Sequence, residues 1–95
     1  MISFIVRMKF RSDDRPRIAE LLTTLAEASR KEPGCVCFIP HTVEGEADAV
    51  LIYEQYRDQK AVEAHRASMH FKECVVGGLY QLMLERQVEN LMAVA

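Results

Sequence analysis

The chain lacks a long apolar run, an excess of basic residues and a useful set of cysteines, and each shortage removes a class of function. No stretch approaches the roughly 18 residues of a membrane span. Its 12 Lys and Arg against 14 Asp and Glu leave a formal net charge of −2. That is no electrostatic footprint for a nucleic acid or an anionic membrane, so neither is expected as a partner. Three cysteines in 95 residues do not make a disulfide framework. Cys35 and Cys37 also lack the C-x(2–4)-C spacing and the second pair that a structural zinc needs, so no metal is expected. Two apart in a strand, they should share a face as small core residues. The opening segment, Met1 to Arg7, carries no basic region or small-residue cleavage site, and a cytoplasmic protein is expected. With four Gly and three Pro there are no repeats, low-complexity stretches or linkers. The expectation is one domain over residues 1–95. A chain this short buries only about 60–65% of its unfolded surface, so its core is thin unless a partner adds to it.

What is present is clear periodicity. Over residues 1–10, Ile2, Phe4, Val6, Met8 and Phe10 alternate with Ser3, Arg7 and Lys9, which predicts a strand with one buried face. Ser12-Asp13-Asp14 offers N-cap candidates and Pro16 suits a first helical turn. Ile18, Leu21, Leu22, Leu25, Ala26 and Ser29 then follow at helical spacing, to an end near Lys31. Glu32-Pro33-Gly34 breaks the chain. Residues 35–43 predict a second strand, held to an edge or bulge by Pro40. Residues 44–48 predict a turn, and 49–56 a third strand. Asp58 should cap a helix over 59–67, a third helix should run from Phe71 to about Met83, and residues 87–94 should give a short final strand. The order β-α-β-β-α-β predicts an α+β fold of the ferredoxin-like, split β-α-β kind, with helices on one face of a four-stranded antiparallel sheet.

Both faces of the central hairpin are apolar. Val50, Ile52 and Tyr56 lie with Glu54 on one side, and Leu51 and Tyr53 on the other. Helices in so small a chain cover one face only. A second copy stacked sheet on sheet is the simplest cover for the other, and predicts a homodimer.

The densest polar and aromatic cluster spans residues 53–71. His65 falls one turn after Ala61, within a stripe that also holds Val62, Ala64, Ser68 and Met69, and so should face the sheet. Tyr53, Glu54 and Tyr56 come from the preceding strand. Together they would place an imidazole, a carboxylate and phenols in the gap between sheet and helices. Histidine is the commonest general base, and an adjacent carboxylate would orient it. Each residue also has a structural reading. His65 could be a core histidine satisfied by Glu54 or by backbone, Glu54 an acceptor of backbone N–H groups, and Tyr53 or Tyr56 part of a dimer interface. His70 could be placed by packing at a helix start, His41 should be exposed, and Arg57, Lys60, Arg66 and Lys72 could be a solvated face.

Glu32-Pro33-Gly34-Cys35, a hairpin, and then Tyr53-Glu54-x-Tyr56-x-Asp58-x-x-Ala61-x-x-x-His65-x-x-Ser68-x-His70-Phe71 resemble the antibiotic biosynthesis monooxygenase domain, which includes quinol monooxygenases. The resemblance covers essentially the whole chain. It implies a dimeric α/β barrel, with a pocket between sheet and helices in each subunit. It implies oxidation of phenolic or quinol-type aromatics by O₂ with no cofactor. Carried over, His65 is the base, with Glu54 and Tyr53 catalytic beside it. Tyr56, Phe71, His70, Ser68 and Leu25 are then the expected substrate-binding residues. A haem-degrading branch depends on a Trp, and this chain has none. Another branch isomerises the phosphorylated autoinducer-2 signal, and Ile52 to His65 with Lys72-x-Cys74-Val75 are similar to it as well.

The first expectation is therefore a cofactor-free monooxygenase. The alternatives are an isomerase of a small phosphorylated carbonyl compound and a non-enzymatic ligand-binding dimer. An aromatic-lined pocket around His65 favours the first. Arg57, Arg66 or Lys72 turned inward favours the second, and a His65 packed without a cavity favours the third.

Overall fold

The computed structural model describes residues 1–95. Strand β1 (Ile2–Phe10) leads through a 3₁₀ turn (Ser12–Asp14) into α1 (Arg15–Ser29). The hairpin β2 (Cys35–Val43) and β3 (Glu46–Tyr56) follows, then α2 (Gln59–Ala67). Helix α3 joins a π-helical stretch (Phe71–Leu79) to a last α-helical turn (Tyr80–Leu82), and β4 (Met83–Leu91) closes the chain. The sheet order is β2-β3-β1-β4, antiparallel throughout. This is the split β-α-β arrangement, with the two central strands adjacent and all helices on one face.

The core follows from the alternation in β1. Phe4, Val6, Met8 and Phe10 are buried against Ile18, Leu21, Leu22 and Leu25 of α1 and Val50 and Ile52 of β3. On the other face Ile5 pairs with Tyr53, Arg7 with Leu51 and Ser3 with Gln55, whose side chains hydrogen-bond at 3.0 Å.

Several local expectations are corrected. A β-bulge between Cys35 and Cys37 sets Cys35 opposite Tyr56 and Cys37 opposite Gln55. The extra residue shifts the pleat, so the two cysteines do not share a face. Residues 12–14 form the 3₁₀ turn, and Asp14 caps α1 without a side-chain bond. The hairpin turn shrinks to Glu44-Gly45 because Gly45 takes φ 82°, which lets β3 begin at Glu46. In α2 only Val62 and His65 are buried, and Met69 points outward. β4 starts four residues earlier and ends three earlier than its mixed pattern suggests, because edge pairing with β1 decides its length rather than burial.

Candidate active site

The Glu32-Pro33-Gly34 turn anchors the site. It is tied to the end of β3 by the Arg57 amide, which donates to the Gly34 carbonyl at 2.9 Å, and by the Arg57 guanidinium, which donates to the Pro33 carbonyl at 2.6 Å. The Asp58 carboxylate then caps α2 by accepting from the Ala61 amide at 2.9 Å. Gly34 has no side chain, and a Cβ there would sit 2.3 Å from Cβ of Ala61. The missing methyl lets α2 lie directly on the turn. His65, one helical turn beyond Ala61, is thereby brought over Glu32.

The contacts of His65 fix its tautomer. Its Nδ1 lies 2.9 Å from Oε2 of Glu32. A carboxylate only accepts, so Nδ1 carries the proton. His70 Nε2 donates to the same Glu32 oxygen. The His65 side chain is 4% exposed, and burial holds its pKa below the usual value despite Glu32, so the ring is neutral at neutral pH. The Nε2 lone pair is then free. It faces Oε1 of Glu54 at 3.6 Å, which is too long for a hydrogen bond and leaves the lone pair available.

Glu54 is 5% exposed, and burial pushes its pKa up to about 7. The Tyr56 hydroxyl, donating to Glu54 Oε1 at 2.7 Å, and the more distant Arg66 and Arg86 oppose that rise. Tyr56 is fully buried, and its own phenol is driven far above its ordinary value, first by burial and then by the Glu54 carboxylate. It acts as a fixed donor. Aromatic rings surround the imidazole, with Tyr56 at 5.2 Å, Phe71 edge-on at 5.3 Å and Phe38 at 5.7 Å between centroids.

His65 and Glu54 open onto a cavity of about 400 Å³ between the sheet and the helices. Its wall is apolar (Phe4, Val6, Leu25, Phe38 and Phe71 among others), and its charged groups are Glu54, Arg66 and Arg86. The volume suits a small aromatic molecule.

The structure brings together His65, Glu54, Phe71 and Leu25 on the cavity, with Tyr56 behind Glu54. It does not bring Tyr53, which lies on the opposite sheet face between Ile5 and Ile39. Strand alternation separates neighbours, so a Tyr beside a cavity-facing Glu must point away. Ser68 holds the joint between α2 and α3. Its hydroxyl donates to the His65 carbonyl at 2.6 Å and accepts from the Phe71 amide at 3.2 Å. His70 reaches Glu32 rather than the cavity.

Sequence reading missed Glu32 as the partner of both histidines, since its 33-residue separation from His65 leaves no spacing signal. It also missed Arg86, whose place on the helix-facing side follows only from its register with Met8. Glu32, His65 and His70 each offer one potential ligand atom within 4.8 Å of the others, the grouping a cation would use. Here both histidines are hydrogen-bonded to Glu32 Oε2.

The fold recurs widely among solved structures. An antibiotic biosynthesis monooxygenase superposes with a TM-score of 0.92 at 21% identity over 100% of both chains. A Pseudomonas aeruginosa protein gives 0.91 at 23% over 99% of this chain and 94% of its own. A Mycobacterium tuberculosis protein gives 0.88 at 23% over 99% and 95%. An uncharacterized Synechocystis protein is 31% identical over 68 residues, which is 72% of this chain and 46% of the relative. The chain thus spans less than half the length of that relative. The family described as antibiotic biosynthesis monooxygenase matches residues 1–76, a stretch that contains Glu32, Glu54, His65, His70 and Phe71. The chain belongs to the antibiotic biosynthesis monooxygenase family.

Proposed function

We propose that the protein is a cofactor-independent monooxygenase that oxidises a small phenolic or quinol-type aromatic with O₂. The observation that carries this reading is the neutral His65, whose free Nε2 stands beside Glu54 at the end of an aromatic-walled cavity. Glu32 holds the ring in that tautomer, and Tyr56 holds the Glu54 carboxyl. In this reading His65 takes a proton from a phenolic O–H or an activated ring C–H, with Glu54 sharing the charge. The resulting anion is electron-rich enough to give one electron to O₂. The radical pair joins into a carbon–oxygen bond, and the peroxide formed loses water to leave a carbonyl. One oxygen atom enters the product and one leaves as water, and the substrate supplies every electron. The protein's tasks are binding, deprotonation and exclusion of bulk water.

The reading extends to a cytoplasmic homodimer. The uncovered sheet face carries Ile5, Leu51, Tyr53 and Ile39, an apolar strip suited to a second copy. One observation favours the isomerase instead, namely Arg66 at the cavity, since a phosphorylated carbonyl compound would need such a cation and the same base.

The test is oxygen uptake by chelator-treated protein against a panel of quinols and anthrones, with autoxidation subtracted. Uptake should survive the chelator and be lost in His65→Ala, with circular dichroism showing that the variant is folded. No uptake above background from wild-type protein would overturn the reading. A wild-type rate in His65→Ala would remove His65 from the mechanism.

A further inference from the structure

We infer that the cavity selects an aromatic phenol bearing an anionic substituent, which Arg66 and Arg86 hold at the mouth while the ionisable hydroxyl meets His65 and Glu54. This deepens the proposed function and rests on the cavity being the substrate site.

The cavity is charged in one direction. His65 and Glu54 are 3% and 5% exposed and form its floor, whereas Arg66 and Arg86 are exposed and form its rim. Arg7, Arg17, Arg30 and Arg57 are each tied to a carboxylate or a carbonyl of the protein. Arg66 and Arg86, like Arg11 and Arg15, form no ion pair and no side-chain hydrogen bond, and of these four only Arg66 and Arg86 border this mostly apolar cavity. Arg86 is nonetheless positioned, because its guanidinium lies 5.7 Å from the ring centroid of Tyr80, another cavity residue. A cation–π contact takes up none of the guanidinium N–H groups as conventional hydrogen-bond donors, so they remain available for an oxyanion.

Two unpaired cations at the rim of an apolar cavity match an anionic group at one end of an aromatic body. Glu54 is the one acidic residue on the wall, and it repels a second anion from the floor. Both effects turn a bound molecule the same way, with the anion outward and the hydroxyl inward. An isolated neutral quinol would use neither arginine. A carboxylate and a phosphate share the chemistry that the two guanidinium groups recognise.

The experiment measures dissociation constants by fluorescence titration for three probes, a naphthol, the hydroxynaphthoate that differs by one carboxylate, and the corresponding hydroxynaphthyl phosphate. Wild-type protein should bind the charged probes about tenfold or more tightly than the naphthol. In the Arg66→Gln/Arg86→Gln double variant, that ratio should collapse toward one. A preference for phosphate over carboxylate would identify the anion as phosphate, and the reverse as carboxylate. Equal affinity for all three in wild-type protein, or a preference that persists in the double variant, would overturn the inference. Oxygen uptake with a neutral quinol separates the two claims. If a neutral quinol is turned over and the charged probes bind no better than the naphthol, selection fails and the monooxygenase reading stands. If no probe binds and no quinol is turned over, both fail.

Discussion

Glu54 and His65 are pulled in opposite senses by the same burial. Desolvation disfavours the charged form of each, so it raises the carboxyl and lowers the imidazolium. Glu54 rises from 4.5 to about 7, and the folded protein therefore binds a proton more tightly than the unfolded chain does. The stability from this proton is fully present below pH 4.5 and is lost as pH rises through about 7. Glu54→Gln removes the buried charge, and should raise the melting temperature at pH 8 more than at pH 5. The predicted gain at pH 8 is of the order of 3 kcal/mol at most. The same variant should lower kcat/KM at least tenfold, and should flatten the loss of activity expected of wild-type protein below about pH 7. Glu32→Gln tests positioning. It leaves both histidines a polar neighbour without the charge, and kcat should fall more than KM changes. That Glu54 and His65 face the gap between sheet and helices was legible in the sequence, because strand alternation and helical spacing carry it, whereas Phe71 entered with the family resemblance. Glu32 was not legible, because its contact depends on how a helix docks on a distant turn.

At the scale of elements, the close approach of α2 to the Glu32-Pro33-Gly34 turn controls the site. A methyl at Gly34 would overlap Ala61, and overpacking of this kind costs roughly 1–3 kcal/mol. Gly34→Ala should lower the melting temperature and reduce kcat together, because the helix that moves carries His65. Ala61→Gly introduced in the same chain should restore part of both losses, and a stability cost without loss of turnover would detach the docking from the site. The β2 and β3 strands and the Asp58 cap were readable from alternation and turn chemistry. The bulge that separates Cys35 from Cys37 was not, since a bulge changes pairing without changing composition. The π-helical winding of α3 was hidden for a similar reason. Phe71, Val75 and Leu79 satisfy an α-helical pattern, yet the buried set is Cys74, Val75, Gly78 and Leu79. Gly78 allows that winding to lie against Leu21, whose Cδ2 would stand 2.8 Å from a Cβ there. Gly78→Ala should therefore also destabilise the fold, by less than Gly34→Ala because a leucine tip yields more easily than a backbone-anchored Cβ.

The whole molecule has one sheet face covered by helices and one left uncovered, where Ile5, Leu51, Tyr53 and Ile39 form an apolar strip beside polar residues such as Arg7 and Gln55. That asymmetry was legible in the two-sided hydrophobicity of the central hairpin, and it accounts for Tyr53 better than catalysis does. Tyr53→Asp should shift the sedimentation behaviour from dimer to monomer while the far-ultraviolet dichroism is kept. A dimer unchanged by that substitution would place the interface elsewhere. The family match and the shared fold define the frame, and the cavity chemistry of this chain defines what it does within it. The central claim is that a protein base, with no cofactor, ionises an aromatic substrate. The most direct measurement is anaerobic mixing of chelator-treated protein with an anthrone, followed by absorbance of the anthrone anion. Wild-type protein should generate the anion stoichiometrically, His65→Ala should not, and admitting air should discharge it to the quinone. Oxygen consumption in air without any anion under anaerobic conditions would contradict the account.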